Sequence, residues 1–488
     1  MTSTAQRTPR PRPAGILAAA LLLAAGSLFV GWSGLGDRAP SSAPPGGATT
    51  PTRASGGSLD TPARLPIPGA GAADLPAAGS LAQLDHNIGA WTKNLGANPQ
   101  DFLSATNLAL LYHARARLTA DLADHQRALE AARTAIAIAP TRSSARALEA
   151  SILFSLHDFR GALAAADALY REDPTQLGAL ATRADAALEL GDLSAAARDL
   201  DTLAAVTSGP AIDVRLARQA FVTGDLDGAL ALARAARDTA LADGADPSFY
   251  EYALAEYARL AGDATTARAG YEAALQIRST DLGALLGLAR VRAFDGELDA
   301  AIVGLESAVA IAPTPEAEAL LGDLLATRAN DLARTPAERA ADLDAASAAH
   351  GVVRFTRTLS ALAGSVYDRQ LLLFDLDHGT ATTATLDAAS TALTTRPDAA
   401  SEDLVAWALH RLGRDREAWT ASQAARSTGA DDARTLFHAG AIAAGLGDVA
   451  ARDLLARALA LGPALDPVER TEASVILAGL IVPATRPG

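Results

Sequence analysis

The sequence contains no cysteine, one methionine and only 4% aromatic residues. The absence of cysteine excludes disulfides, thiolate metal sites, cysteine nucleophiles and a cysteine-linked lipid anchor. Lys93 is the only lysine, so nearly all of the positive charge is arginine. Because aromatics are scarce, the 49% hydrophobic fraction is largely alanine. Alanine favours closely packed helices and is depleted in strands, so an all-β fold is excluded.

Over the whole chain 56 acidic residues outnumber 42 basic ones, and the formal net charge is −14. An acidic chain repels phosphate backbones, so we expect no nucleic-acid partner. The sequence has no HExxH, Walker or G-x-S-x-G pattern. We therefore expect a non-enzymatic protein with no catalytic residue, no metal site and no cofactor. Its abundance of alanine and arginine is typical of GC-rich coding and suggests a bacterial source.

One long apolar run lies near the N-terminus, at residues 14–32, after a basic tail at residues 1–13. The run has the length of a transmembrane signal-anchor helix. The positive-inside rule places the N-terminus in the cytoplasm and the rest outside the bacterial cell membrane. The alternatives are secretion after signal-peptide cleavage and a cytoplasmic protein. Residues 33–80, rich in Pro, Gly, Ser and Thr, predict a disordered linker.

A sequence pattern of one turn followed by an alanine-centred helix, the repeated phrase, recurs through the rest of the chain. Its spacings are 33, 38 and 34 residues, which indicates stacked helix pairs. Glycine supplies a left-handed helix end, the next acidic residue favours the start of a second helix, and a small residue permits close helix contact. The turn glycines are Gly191, Gly224, Gly262 and Gly296, and the small residues are Ala196, Ala229, Ala267 and Ala301.

Three segments carry a resemblance to the tetratricopeptide repeat (TPR) family: "ALEAARTAIAIAP" at 128–140, "GYEAALQI" at 270–277 and "LDAAIVGLESAVAIAP" at 298–313. The resemblance implies an all-α, right-handed α-α superhelix over residues 81–466. We expect roughly nine or ten units, with residues 316–398 degenerate, and a capping helix and tail at residues 467–488. Thr335 and Glu338 predict a capping box within the degenerate region.

A short cluster, "FDLDHG", places Asp375, Asp377 and His378 close together. It is either a metal or catalytic cluster or the end of a helix with Gly379 as its C-cap. The position within the repeat favours the helix end. The eight histidines are scattered, and His113, His157, His410 and His438 fall in or next to helices of different units, which favours packing or exposure over ligation.

In the family that this repeat resembles, the inner faces of the first helices line a groove that holds a peptide or another protein. Aromatic residues flanked by arginine are favoured at binding hot spots. The alternative is that the aromatics are core residues and the arginines a solvated face. The candidate groove residues are Arg218, Phe221, Phe249, Tyr252, Glu256, Arg259, Arg290, Phe294, Trp407, His410 and Arg411.

We therefore expect a membrane-tethered protein–protein interaction scaffold, and the sequence leaves open whether it serves assembly of an envelope complex, secretion or a transporter. Its expected partner is a protein or peptide bound in the groove. One alternative is an accessory subunit of an export or uptake system that binds a polymer or a metal ion. Another is an enzyme with an unfamiliar site, for which a cleft with paired carboxylates or a buried His–Asp pair would be the structural sign.

Overall fold

The structure, a computed structural model, describes residues 81–119, 121–362 and 369–481. These residues form 22 α-helices and one short 3-10 helix, Gly462–Ala464. In chain order the α-helices are α1 Leu81–Ala97, α2 Phe102–Thr119, α3 Leu122–Ile138, α4 Ser143–Ser155, α5 Phe159–Glu172, α6 Leu177–Glu189, α7 Leu193–Val206, α8 Pro210–Val222, α9 Leu226–Ala242, α10 Ser248–Leu260, α11 Ala264–Ile277, α12 Leu282–Phe294, α13 Leu298–Ile311, α14 Pro315–Ala329, α15 Pro336–Leu362, α16 Arg369–Asp377, α17 Thr383–Thr395, α18 Ala399–Arg411, α19 Asp415–Ala425, α20 Ala433–Leu446, α21 Ala450–Ala460 and α22 Pro467–Ile481.

From α2 to α21 the described helices form ten successive pairs that pack on their neighbours, flanked by α1 and α22. The predicted all-α solenoid of helix pairs is confirmed, because the described residues contain helices and no strand. Among these residues, none of the helices combines the length and apolarity needed to cross a bilayer. The predicted transmembrane helix at residues 14–32 and the linker at residues 33–80 lie outside the described residues.

The turns inside the pairs have the geometry that the repeated phrase predicts. Gly191, Gly224 and Gly262 adopt φ of 76°, 91° and 83°, a left-handed conformation that costs glycine little. The aspartate after each glycine accepts a hydrogen bond from a backbone N–H of the following helix, as Asp192 does from Ala195 at 3.0 Å. The four small residues predicted at helix contacts are all fully buried: Ala196, Ala229, Ala267 and Ala301.

The fourth turn of the set departs from this pattern. Gly296 is left-handed as well, with φ of 82°, but the side chain of Glu297 makes no capping hydrogen bond. A glutamate places its carboxylate one bond too far for the short capping loop that aspartate makes. The predicted capping box is present: Glu338 accepts from the Thr335 N–H at 2.8 Å, and Thr335 Oγ1 accepts from the Glu338 N–H at 3.3 Å.

The turns within three pairs pack against a second row of turns from the C-terminal pairs. A Cβ placed on Gly191 would overlap the carbonyl oxygen of Pro397. One placed on Gly224 would lie 3.0 Å from Gly429, and one on Gly262 would lie 3.3 Å from Leu461. We call these two facing rows the turn interface; its members are Gly191, Gly224, Gly262, Pro397, Gly429 and Leu461. It brings residues about 200 positions apart into backbone contact.

Candidate functional site

The candidate groove residues lie on first helices of their pairs, in two groups. On α8, α10 and α12 lie Arg218, Phe221, Phe249, Tyr252, Glu256, Arg259, Arg290 and Phe294, and on α18 lie Trp407, His410 and Arg411. Both groups contact the chain between residues 462 and 472, which we call the terminal segment. It contains the 3-10 helix and the start of α22.

Two arginines of the first group hold the terminal segment by its polar atoms. Arg259 donates to the backbone carbonyl of Pro463 at 3.1 Å. Arg290 donates through Nε to a carboxylate oxygen of Asp466 at 2.7 Å, and it also pairs with Glu316 at 2.9 Å. Each guanidinium therefore has a partner inside the chain. Arg259 and Arg290 thus bind the terminal segment through a backbone carbonyl and a carboxylate.

The same segment covers one exposed aromatic of the first group and one cation of the second. The Arg470 guanidinium lies 4.3 Å from the ring centre of Phe294, which is a cation–π distance. Phe294 is still 40% exposed. Arg411 pairs with Glu472 through both of its terminal nitrogens, at 2.9 and 2.6 Å. The terminal segment thus contacts both groups.

Some members of the first group are too deeply buried to form an open binding surface. Glu256 is 3% exposed and Arg259 is 7% exposed. Glu256 accepts from Arg259 and from the hydroxyl of Tyr271. Burial raises the pKa of Glu256, but the adjacent Arg259 charge outweighs it and holds this pKa below its usual value. Burial raises the pKa of Tyr252, so this phenol stays neutral.

Phe221 and Phe249 are half-buried. The ring of Phe221 lies 5.7 Å from that of Tyr257, within an inter-helix cluster. Arg218 donates to Glu189 at 3.3 Å, at the end of α6. These positions therefore contribute to packing between pairs. Their role in binding a partner stays a prediction.

Trp407 is fully buried and belongs to the core of the C-terminal pairs. Its indole N–H donates to Asp377 at 2.9 Å, and its ring stacks on His438 at 4.0 Å and on His410 at 5.1 Å. His438 Nδ1 lies 2.8 Å from Asp403, which forms a buried His–Asp pair that sequence reasoning missed. His438 Nε2 makes no hydrogen bond, and neither side chain reaches the surface. The pair therefore joins α18 to α20 inside the core.

Two carboxyl groups next to the groove differ in their ionisation. Burial opposes the charge of Asp466, but Arg290 and Arg434 beside it lower its pKa to about 2. Burial raises the pKa of Glu469 to about 7, although Arg434 favours its charged form. Asp466 is thus the permanent negative charge that Arg290 binds. No sequence signal identified Asp466, because its partner Arg290 is 176 residues away.

The "FDLDHG" cluster separates in three dimensions. Asp375 pairs with an arginine of α15, and Asp377 accepts from a tryptophan on α18. Gly379 has φ of 69°, so the predicted helix end is confirmed. His378 points elsewhere, and its Nε2 lies 2.8 Å from Asp323 on α14. The sequence cluster therefore is not one site, but His378 belongs to a different group of possible metal ligands.

Comparison with known proteins gives distant similarities. No family model matches the chain, and no curated protein sequence matches it. Among solved structures it is similar to a tetratricopeptide repeat protein from Parabacteroides merdae, at 15% identity over 55% of this chain and 93% of that chain, with a TM-score of 0.38. It is also similar to PilW, a type IV pilus biogenesis factor, at 19% identity over 44% of this chain and 92% of that one, with a TM-score of 0.34. Human IFIT1, solved as a dimer with PPP-AAAA, is 16% identical over 72% of this chain and 88% of that one, with a TM-score of 0.37.

Proposed function

We propose that the protein is a non-enzymatic interaction scaffold whose groove binds an acidic segment of a protein partner. The contact between the terminal segment and the groove arginines is the observation that supports this proposal. In this structure Arg259 binds a backbone carbonyl and Arg290 binds the Asp466 carboxylate. A partner that offers carbonyl oxygens and a carboxylate at the same spacing would satisfy the same arginines.

A partner must replace the terminal segment or bind beside it, because the two arginines are already paired. Replacement exchanges one set of charge-assisted hydrogen bonds for another, so its net free energy is small compared with either set alone. Phe294, 40% exposed at the edge of this contact, offers an apolar surface for first contact. A stack of helix pairs loses little conformational entropy when such a partner binds.

We further propose that residues 14–32 anchor the protein in a bacterial cell membrane and that residues 33–80 act as a spacer. The length of the apolar run and the preceding basic tail support the anchor. Intact-mass measurement of the purified chain tests it. A mass that corresponds to a start near Asp37 would support cleavage and secretion instead. Assembly of an envelope complex is the setting that this location favours.

The binding proposal is tested by site-specific photo-crosslinking in membranes of cells that produce the full chain. A photoreactive phenylalanine analogue replaces Phe294 in one version and Phe355 in the control. Phe355 is also an exposed phenylalanine, at 46%, but it lies on α15 outside the candidate groove. We expect a discrete protein adduct at position 294 and none at 355.

The competition step is tested by adding Asp466→Ala to the Phe294 crosslinking version. Loss of the Asp466 carboxylate leaves Arg290 paired with Glu316 alone and removes its contact with the terminal segment. We expect the yield of the adduct to rise severalfold. No adduct at position 294 with or without Asp466→Ala, or equal adducts at positions 294 and 355, would refute binding in the groove.

A further inference from the structure

Three side chains from three consecutive helices meet between α14, α15 and the end of α16. Asp323 lies on α14, His350 on α15, and His378 directly follows α16. His350 Nε2 is 3.0 Å and His378 Nε2 is 2.8 Å from the same carboxylate oxygen, Asp323 Oδ1. Among the described residues these are the only three His or acidic side chains grouped closely enough to share an ion.

We propose that Asp323, His350 and His378 form a binding site for a divalent transition-metal ion. Two imidazoles and one carboxylate are a donor set that zinc, iron, nickel and cobalt accept. Donor atoms at about 2.0–2.2 Å from one tetrahedral ion lie about 3.3 Å apart. The two nitrogen–oxygen separations are already close to this value, and all three donor atoms lie within 4.8 Å of one another.

The surroundings of His378 orient it as a ligand. Its Nδ1 lies 2.8 Å from the backbone carbonyl of Phe374, an acceptor that requires a proton on Nδ1. In the neutral imidazole the lone pair is then on Nε2, which faces Asp323. A metal-bound histidine usually donates its other ring N–H to a carboxylate, a backbone carbonyl or water, as His378 Nδ1 does here to a backbone carbonyl. The ring of Phe374 stacks on His378 at 4.2 Å and fixes its plane.

The His350 ring occupies space that is free only because the neighbouring residue on α14 is glycine. A Cβ placed on Gly322, one residue before Asp323, would overlap the His350 ring. Its ring centre lies 4.7 Å from that of His378, so the two imidazoles approach from different directions. The side chains of all three candidate ligands are between 12% and 22% exposed. An ion therefore has access from solvent, and water would complete its coordination.

A metal ion at this position would join α14, α15 and α16 without cysteine. Such a site would stabilise the solenoid where the helix pairs are least regular, since α15 spans 27 residues and α16 only nine. This role does not depend on the groove or on a protein partner. Failure of partner capture would therefore leave it untouched, and failure of metal binding would leave the partner proposal untouched.

The test is calorimetric titration of the full chain, made without a histidine tag, with ZnCl₂. We expect one zinc ion per chain. His350→Asn and His378→Asn should each weaken binding at least tenfold, because even loss of an outer-shell partner costs 10–100-fold. His410→Asn is the matched control: His410 also faces an aspartate, Asp415, at 2.6 Å, but has no third ligand among the described residues. It should bind zinc like the unaltered chain.

A second pair of variants moves a ligand without removing one. Gly322→Ala should displace His350 and weaken zinc binding at least tenfold, whereas Gly351→Ala on the next helix meets no atom within 4 Å and should not. If the histidine variants do not fold, titration of the unaltered chain with Co²⁺ decides, through the visible absorption of a nitrogen-ligated, low-coordinate ion. Absence of both zinc heat and cobalt absorption, or zinc binding that His350→Asn and His378→Asn leave unchanged, would overturn the proposal.

Discussion

Two turns built from the same phrase have opposite surroundings in the solenoid. Gly191 and Gly296 share a left-handed φ, at 76° and 82°. A Cβ on Gly191 would overlap the Pro397 carbonyl, whereas a Cβ on Gly296 would meet no atom within 4 Å. One turn belongs to the turn interface and the other faces solvent. The local sequence therefore fixes the shape of a turn, while its place along the superhelix decides how much stability it contributes.

The two turns should differ most in how much their ion pairs contribute to the free energy of unfolding. Arg396 reaches across the turn interface to Glu189, and both side chains are only 10% exposed. Arg396→Ala leaves the Glu189 carboxylate buried beside one remaining arginine, so we expect a loss of about 3–5 kcal/mol in the free energy of unfolding. At the exposed turn Arg268 pairs with Asp295 at 2.7 Å. Arg268→Ala should cost less than about 1 kcal/mol.

Urea unfolding followed by circular dichroism measures both variants under one set of conditions. The two substitutions delete the same side chain; Arg268 lies within α11, whereas Arg396 directly follows α17, so only Arg268→Ala also raises helix propensity, by a few tenths of a kcal/mol at most. Equal losses for Arg396→Ala and Arg268→Ala would contradict a stabilising turn interface. Glu189→Gln, which removes the charge from the other partner, provides an independent estimate of the same contact.

The next largest difference should come from the glycines. At Gly296, alanine adds only the strain of a left-handed residue, about 1 kcal/mol. At Gly191 it adds the overlap with Pro397, which costs a further 1–3 kcal/mol or so if the rows shift apart. Gly191→Ala should therefore lower the urea midpoint more than Gly296→Ala does. Gly224→Ala and Gly262→Ala should fall between them in that order, because their nearest contacts are 3.0 and 3.3 Å.

The helix pairs were predictable from sequence because each depends on residues close together in the chain. Glycine and aspartate at adjacent positions define a turn and a cap, and an alanine five positions later defines a helix contact. The turn interface and the terminal segment were not predictable in this way. They join Glu189 to Arg396 and Arg290 to Asp466, pairs separated by 207 and 176 residues. Their register depends on the curvature of the whole stack, to which every pair contributes.

The contacts of the candidate groove could also be predicted only in part from sequence. Sequence placed Arg259 and Arg290 correctly on first helices, because helical spacing is local. It did not reveal that the terminal segment contacts them, because that contact joins residues about 200 and 176 positions apart in the chain. His350 and Asp323 carried no signal either, since they are 27 residues apart and neither lies in a motif.

Acid should weaken the contact between Arg290 and the terminal segment. The pKa of Asp466 is about 2 in the folded chain, against 3.8 for an ordinary aspartate. A lowered carboxyl pKa stabilises the fold above pH 3.8, and this contribution disappears as the pH falls through 2. Asp466→Asn should therefore cost about 2 kcal/mol at pH 5, and roughly half of that difference should vanish at pH 3.

The control for this titration is Asp295→Asn, which removes a carboxylate paired with Arg268 at the exposed turn. It should change the free energy of unfolding by less than about 1 kcal/mol at pH 5. Both variants are measured by urea unfolding at pH 5 and pH 3. A difference between the unaltered chain and Asp466→Asn that is as large at pH 3 as at pH 5 would refute the assignment to the Asp466 carboxylate.

The smallest loss of stability should come from substitutions at the helix caps. Asp192 accepts from the Ala195 N–H at 3.0 Å, whereas Glu297 caps nothing. Asp192→Ala should cost about 1 kcal/mol, and Glu297→Ala should cost only its share of the exposed pair with Arg268. Hydrogen exchange separates the two, because the cap protects the first amides of α7 specifically. Faster exchange there in Asp192→Ala, without a matching change at the start of α13 in Glu297→Ala, is the expected result. Similar acceleration in both helices would mean that the two turns differ only in their tertiary contacts and not in their caps.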